Sequence, residues 1–139
     1  MILLDTDVLS ALMRAEPAMT VVKWLDKQPE SSIWTTSITV MEIRYGLQIM
    51  PTGRRRQRME EELEAVLRKE IEERYAPFDV AAAQHAAELM ALRKARGRPV
   101  DFRDTMIAGI ALSTRATLAT RNTAHFADLS VPVVNPWTA

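Results

Sequence analysis

Three acidic residues stand where acids are expensive. Asp5 closes the apolar run Ile2-Leu3-Leu4, Glu42 lies inside ITVMEIRYGL (38–47), and Asp104 opens DTMIAGIAL (104–112). A carboxylate taken out of water is strongly destabilising unless something cationic compensates it. One acid at a strand end and two on apolar helix stretches, gathered by a fold, would make an oxygen-rich site for a hard divalent cation. Such a site points to metal-dependent phosphodiester chemistry rather than to a simple binding module.

Each of these residues also has a plainer reading. Asp5 is a good N-cap for the segment behind it. Asp7 can cap the same helix or face the same site. Glu42 would ordinarily pair with a basic neighbour on its helix, but positions 38, 39, 45 and 46 hold Ile, Thr, Tyr and Gly, and Arg44 lies off that face. Asp104 can cap its helix, although a capping box would want Glu or Gln where Ile107 stands. Asp101 falls on the turn before it, as a cap or a water-mediated ligand. After an apolar strand come Thr120, Arg121 and Asn122. Thr120 is placed to hold a water or a phosphate oxygen, and Asn122 is either a turn residue or a neutral oxygen donor. The two histidines, His85 and His125, form no zinc set. His85 reads as a boundary group in an Ala-rich helix, and His125, beside Phe126, as packing near the site rather than as a catalytic group.

Two basic stretches accompany the acids. Arg54–Arg58 carries four arginines in five positions at a helix start, where positive charge opposes the helix dipole. A phosphate backbone or an acidic protein partner would both suit it. Arg93, Lys94, Arg96, Arg98 and Arg103 form a second region beside Asp101 and Asp104, suited to holding a polyphosphate strand against an anionic metal site.

The elements that must position these residues follow from periodicity and breakers. Short strands are expected at 2–5, 32–35, 75–78, 117–120 and 131–134. Helices are expected at 7–14, from Pro17 to about Gln28, from Ser37 to Ile49, over 54–73, from Asp79 to Ala95 and from Asp104 to Ser113. On the third of these, Ile38, Glu42, Tyr45 and Ile49 share a stripe. Alternating strands and helices imply an α/β fold with a small, mostly parallel sheet covered on both faces by helices, and ligands in such sheets bind at the carboxyl ends of the strands. Asp5 and Thr120 fall at such ends.

Composition bounds the rest. The 139 residues, 47% hydrophobic, suit one domain over 1–139. Eighteen basic residues balance 18 acidic ones, so any nucleic-acid surface must be local. There is no cysteine, which excludes disulfides, Cys-ligated metals and a thiol nucleophile. The start MILLDTDVLS lacks the basic and long apolar regions of a signal peptide, and no stretch approaches the ~20 apolar residues that span a bilayer, so a cytoplasmic protein is expected.

Taken together, ILLDTDVLS (2–10), TTSITVMEIRYGL (35–47), RPVDFRDTMIAGIAL (98–112) and LATRNTAHF (118–126) resemble the motifs of PIN-domain ribonucleases. More narrowly, the chain resembles VapC-type toxins of bacterial toxin–antitoxin pairs. ITVMEIRYG, the following MPTGRRR and the ending VVNPW (133–137) point to the FitB-like group. The resemblance covers nearly the whole chain, and the order and spacing of the motifs carry it. It implies a three-layer α/β/α sandwich and Mg²⁺- or Mn²⁺-dependent endonucleolytic cleavage of RNA, with transfer RNA as the expected substrate. Asp5, Glu42 and Asp104 would hold the metal, while Thr120 and Asn122 would orient water or phosphate. It also implies a homodimer and a cognate antitoxin, with operator DNA bound only through the antitoxin. Two departures stand out. The usual DTN opening is DTD here, so Asp7 replaces Asn, and the fourth acidic position of many FitB-like members is Asn122. A rival expectation is a catalytically weak or inactive PIN-like interaction or regulatory module.

Overall fold

In the computed structural model, which describes all 139 residues, five strands alternate with helices. They are β1 (Ile2–Leu4), β2 (Ile33–Thr36), β3 (Tyr75–Ala76), β4 (Thr117–Ala119) and β5 (Val133–Val134). Six helices connect them: α1 (Thr6–Leu12), α2 (Met19–Asp26), α3 (Ser37–Ile49), α4 (Arg54–Val66), α5 (Val80–Ala95) and α6 (Phe102–Thr114). The sheet runs β3-β2-β1-β4-β5 and every pairing is parallel. The chain thus builds outward from β1 on one side and then returns to place β4 on the other. The gap beyond β1 and β4 is a topological switch point, the usual ligand crevice of an open parallel sheet.

Strand alternation sends side chains to two cores. Leu4 and Ala119 join Val8, Leu9, Val21, Ile43, Leu47 and Leu63 beneath α1–α4. Leu3 and Leu118, their immediate neighbours, join Ala82, Leu89, Ile107, Ile110 and Phe126 beneath α5 and α6. The register pairs Leu3 with Leu118 and Leu4 with Ala119, so one residue of slip would reverse both sets. This is the expected sheet covered on both faces by helices.

Several expected boundaries move, each for a local reason. Helix α2 begins at Met19 after an Ala18 N-cap, so Pro17 lies outside it. The charged 54–73 segment is α-helical only to Val66. It continues as a π-turn over Leu67–Ile71, and left-handed Glu72 and Glu73 then stop it. The last strand keeps only Val133–Val134. Pro132, which has no N–H, takes part only as an acceptor, from Leu118 N. On α3 the buried ridge is Thr39, Ile43 and Leu47, not the stripe containing Glu42, and Tyr45 and Ile49 are well exposed. Helix α6 starts two residues before Asp104. Asp101 is its N-cap, accepting from Asp104 N at 3.0 Å, which leaves the Asp104 carboxylate free of capping.

Candidate active site

Each site residue is delivered by a different element. Asp5 follows the last residue of β1. Its Oδ1 accepts from Thr6 N at 2.8 Å as the α1 N-cap, and its Oδ2 accepts from Thr120 Oγ at 2.8 Å. The cap and site readings of Asp5 are therefore compatible: one oxygen starts the helix and the other faces the end of β4. Asp5 is 6% exposed, and burial, reinforced by the charges of Asp7 and Asp104, pushes its pKa from 3.8 to about 7. The hydrogen bonds from Thr120 and Thr6 pull the other way and do not prevail.

Asp7 lies in the first turn of α1. Its Oδ2 accepts from Arg121 N at 2.9 Å, while its Oδ1 is buried with no hydrogen-bond partner. Burial raises its pKa as well. An ionised oxygen left bare inside a protein is costly, and a bound cation is one way to satisfy it.

Glu42 reaches the crevice from α3. Thr6 Oγ donates to its Oε1 at 2.9 Å, and the Arg103 guanidinium of α6 stands 3.7 Å from its Oε2. The absence of a basic neighbour on its own helix is thus made good from another element. Burial still raises its pKa, with the charges of Asp104 and Asp101 adding to the effect. Asp104 therefore bears electrostatically on both Asp5 and Glu42.

Asp104 itself meets His125, whose Nδ1 lies 3.0 Å from its Oδ2 and 2.9 Å from Asn122 Nδ2. His125 is exposed, and its neighbour Phe126 is fully buried, so packing belongs to Phe126 and the imidazole belongs to the site rim. The expectation for His125 is corrected accordingly. Thr120 is fully buried, with its hydroxyl committed to Asp5; it orients that carboxylate and cannot itself reach a phosphate. Asn122 is exposed, and its backbone N–H donates to Thr120 Oγ at 3.1 Å.

The second basic region divides in the structure. Arg93, 4% exposed, makes a two-pronged pair with Asp128 (Nε–Oδ2 and Nη2–Oδ1, both 2.9 Å). It also donates to His125 O and to Thr105 Oγ, and Thr105 in turn donates to Asp101 O at 2.6 Å. Arg93 is consequently not a strand-binding residue. It fixes the His125 turn against the start of α6, and its hydrogen bonds hold the Asp128 carboxyl below its usual pKa. Arg98 closes the same cluster at 3.1 Å from Asp128. Arg103 remains half-exposed at the crevice, and Arg121 lies over the Trp137 ring at 4.8 Å.

As the side chains stand, no three carboxylates or imidazoles are close enough to enclose an ion. Each acid has instead taken a substitute: Thr6 and Arg103 for Glu42, His125 for Asp104, Thr120 for Asp5. The donor set nevertheless fits a hard cation. Its oxygens are carboxylates, one buried oxygen of Asp7 is orphaned, and burial, with the charges of neighbouring acids, raises the pKa values of Asp5 and Glu42.

Comparison with known proteins agrees with this fold. The PIN domain family model matches residues 2–131. The plasmid stability protein StbB of Pseudomonas syringae pv. tomato is 40% identical over 139 residues, the whole of both chains. The VapC ribonuclease Y4jK of Sinorhizobium fredii is 38% identical over 137 residues, covering 99% of this chain and 98% of that one. Toxin FitB of Neisseria gonorrhoeae is 35% identical over 137 residues, 99% of each chain. The crystal structure of FitAcB from that organism superposes with a TM-score of 0.88 at 34% identity, covering 100% of both chains. In sequence and in fold alike, the chain belongs to the PIN-domain family.

Proposed function

We infer that the protein is a metal-dependent endoribonuclease, acting as the toxin of a toxin–antitoxin pair and held in check by a cognate antitoxin. One observation carries this reading: Asp5, Glu42 and Asp104 reach the sheet's switch point from β1, α3 and α6, where burial raises the pKa of Asp5 and Glu42 and the charge of Asp104 adds to both shifts. Similarity to chains named VapC ribonuclease and toxin FitB supports it.

Asp5, Glu42 and Asp104 would hold Mg²⁺ or Mn²⁺, with Asp7 Oδ1 as an additional oxygen. When bound, the cation supplies an acidified water and neutralises charge on the phosphoryl oxygens. Thr120 keeps Asp5 oriented, and its hydroxyl favours the ionised carboxylate that binding needs. Thr6 does the same for Glu42. Arg103 and Arg121 sit where a phosphodiester backbone would be neutralised, and Asn122 and His125 line the exposed rim. Transfer RNA is the substrate proposed first, following the motif resemblance, with products ending in 5′-phosphate and 3′-hydroxyl.

The partners proposed are a second copy of the chain and the antitoxin, with operator DNA reached only through the antitoxin. The 37–73 hairpin is the proposed dimer or antitoxin surface. The exposed stripe Met41, Tyr45 and Ile49 on α3 supports this. Residue-level protection on complex formation that lay wholly outside 37–73 would refute it.

Titration of the antitoxin-free protein with Mn²⁺ separates a nuclease from a PIN-like binding module. Saturable binding, lost in Glu42→Gln together with RNA cleavage, is the expected outcome. Cleavage at wild-type rates with no cation bound would overturn the reading.

A further inference from the structure

A second site lies beyond the carboxylates, between the far end of α1 and the first turns of α4. Arg55, Arg58, Met59 and Glu62 form one face of α4 at helical spacing, and Ser10, Met13 and Arg14 face them across a cleft of about 210 Å³. Its floor is thioether, from Met13 and Met59. Arg14, Arg55 and Arg58 are all exposed, and none pairs with a carboxylate, whereas the neighbouring Arg56 turns away to Glu60 at 2.8 Å. Glu62 is the one acid lining the cleft. Helix α4 also begins without a side-chain cap, at Gly53, so its free N–H groups add to the positive field. Three unpaired guanidinium groups around one cleft repel one another, and an anion relieves that repulsion.

We propose that this cleft binds the phosphate backbone of the single-stranded RNA substrate on one side of the scissile bond. The inference rests on the nuclease reading above. Helix α1 joins the two places: Asp7 is in its first turn at the carboxylates, and Met13 is its C-cap at the cleft. At about 1.5 Å per residue the separation along the axis is roughly 9 Å, or about three nucleotides of a stacked strand. Asp7, Ser10 and Arg14 follow one another at helical spacing, and Ser10 and Leu12, the only partly exposed residues between Asp7 and Arg14, carry no charge. The arginines grip phosphates, and the methionine floor takes ribose or base. An acidic peptide would satisfy the same charges, and Arg55, Arg58 and Met59 lie within the 37–73 segment proposed above as a partner surface, so RNA and a partner bound there would exclude one another.

The test is the salt dependence of binding of a fluorescent single-stranded oligouridylate in EDTA. It compares wild type with the triple variant Arg14→Gln, Arg55→Gln, Arg58→Gln. A single strand contributes a slope of about 0.7 per phosphate neutralised, so the triple variant should bind more weakly and its slope should fall by about 2. Lysine at the same three positions should keep most of the slope, and Arg115→Gln, at the far end of α6, should keep all of it. An unchanged slope in the glutamine triple, or an equal fall in Arg115→Gln, overturns the cleft. So does a variant that keeps RNA but loses an oligoglutamate peptide, which would assign the cleft to an acidic partner. Metal-dependent cleavage by wild type is measured in parallel. If wild type cleaves while the slope is unchanged, the cleft alone is wrong; if wild type neither cleaves nor binds RNA, the nuclease reading falls with it.

Discussion

Replacing Asp5 by Asn should stabilise the metal-free protein at neutral and alkaline pH while destroying its response to metal. Burial and the neighbouring acids place the Asp5 pKa near 7 in the folded chain, against 3.8 when unperturbed. The folded state therefore holds this proton more tightly than the unfolded one. Below about pH 4 both states are protonated and there is no penalty. Between about pH 4 and pH 7 the unfolded chain has lost the proton while the folded chain keeps it, so stability falls with rising pH and levels off above 7. Three units at 1.36 kcal/mol each make the loss at most about 4 kcal/mol, or roughly 14 °C in Tm for a domain of this size. Asn keeps the cap to Thr6 N and removes the charge. Thermal unfolding in EDTA from pH 5 to pH 8 should thus show a declining wild-type Tm and a flatter profile for Asp5→Asn, with the variant the more stable at pH 8. Adding Mn²⁺ should close most of the gap. Wild type would gain about 2.7 kcal/mol at a hundredfold excess over Kd, and chiefly above pH 7, where Asp5 is ionised; the variant would gain little. A variant less stable than wild type at pH 8 in EDTA, or equally stabilised by Mn²⁺, would refute the reasoning.

Other expectations test the parts around this site. Thr120→Val removes the hydroxyl that favours ionised Asp5, so the pH midpoint of Mn²⁺ binding should move upward; a midpoint unchanged or lowered would separate Thr120 from Asp5. Arg93→Met leaves the nearly buried Asp128 carboxylate with Arg98 alone and His125 O without its donor, and should cost about 3 kcal/mol at pH 7 in denaturant unfolding. Because Asp128 has a lowered pKa, its stabilisation in wild type is present above the usual carboxylate range and is lost as pH falls through the folded value, so the deficit should narrow in acid. Gly109→Ala would set a Cβ 2.5 Å from Ala82 O and 2.9 Å from Ala86 Cβ, forcing α5 and α6 apart at a cost of about 1–3 kcal/mol; an unchanged unfolding midpoint would show that this contact is slack.

The readable parts of the chain were those governed by local pattern. An apolar run ended by Asp5, and the TLA strand ended by Thr120, needed only their own neighbours to be placed at strand ends, and the alternation of elements was enough for a parallel sheet. What escaped depends on contacts between distant segments. Arg93 sits in a run of basic residues that reads as a surface for a polyphosphate strand, and Asp128, 35 positions away, makes its burial tolerable. Asp101 rather than Asp104 caps α6 because the helix starts at Phe102, a boundary that the apolar pattern after Asp104 conceals. Nothing near His125 announces that the turn held by Arg93 carries it to Asp104. Glu42 was legible as an unpaired acid, but not its tethering by Thr6 and Arg103.

The most direct test of the central claim is cleavage-site mapping on total RNA. It uses antitoxin-free protein with Mg²⁺ or Mn²⁺, alongside the same protein in EDTA and the Asp104→Asn variant. The account requires discrete cuts bearing 5′-phosphate ends, concentrated in transfer RNA, that vanish both in EDTA and in Asp104→Asn. Wild-type cutting by Asp104→Asn, or cutting that persists undiminished in EDTA, would contradict it.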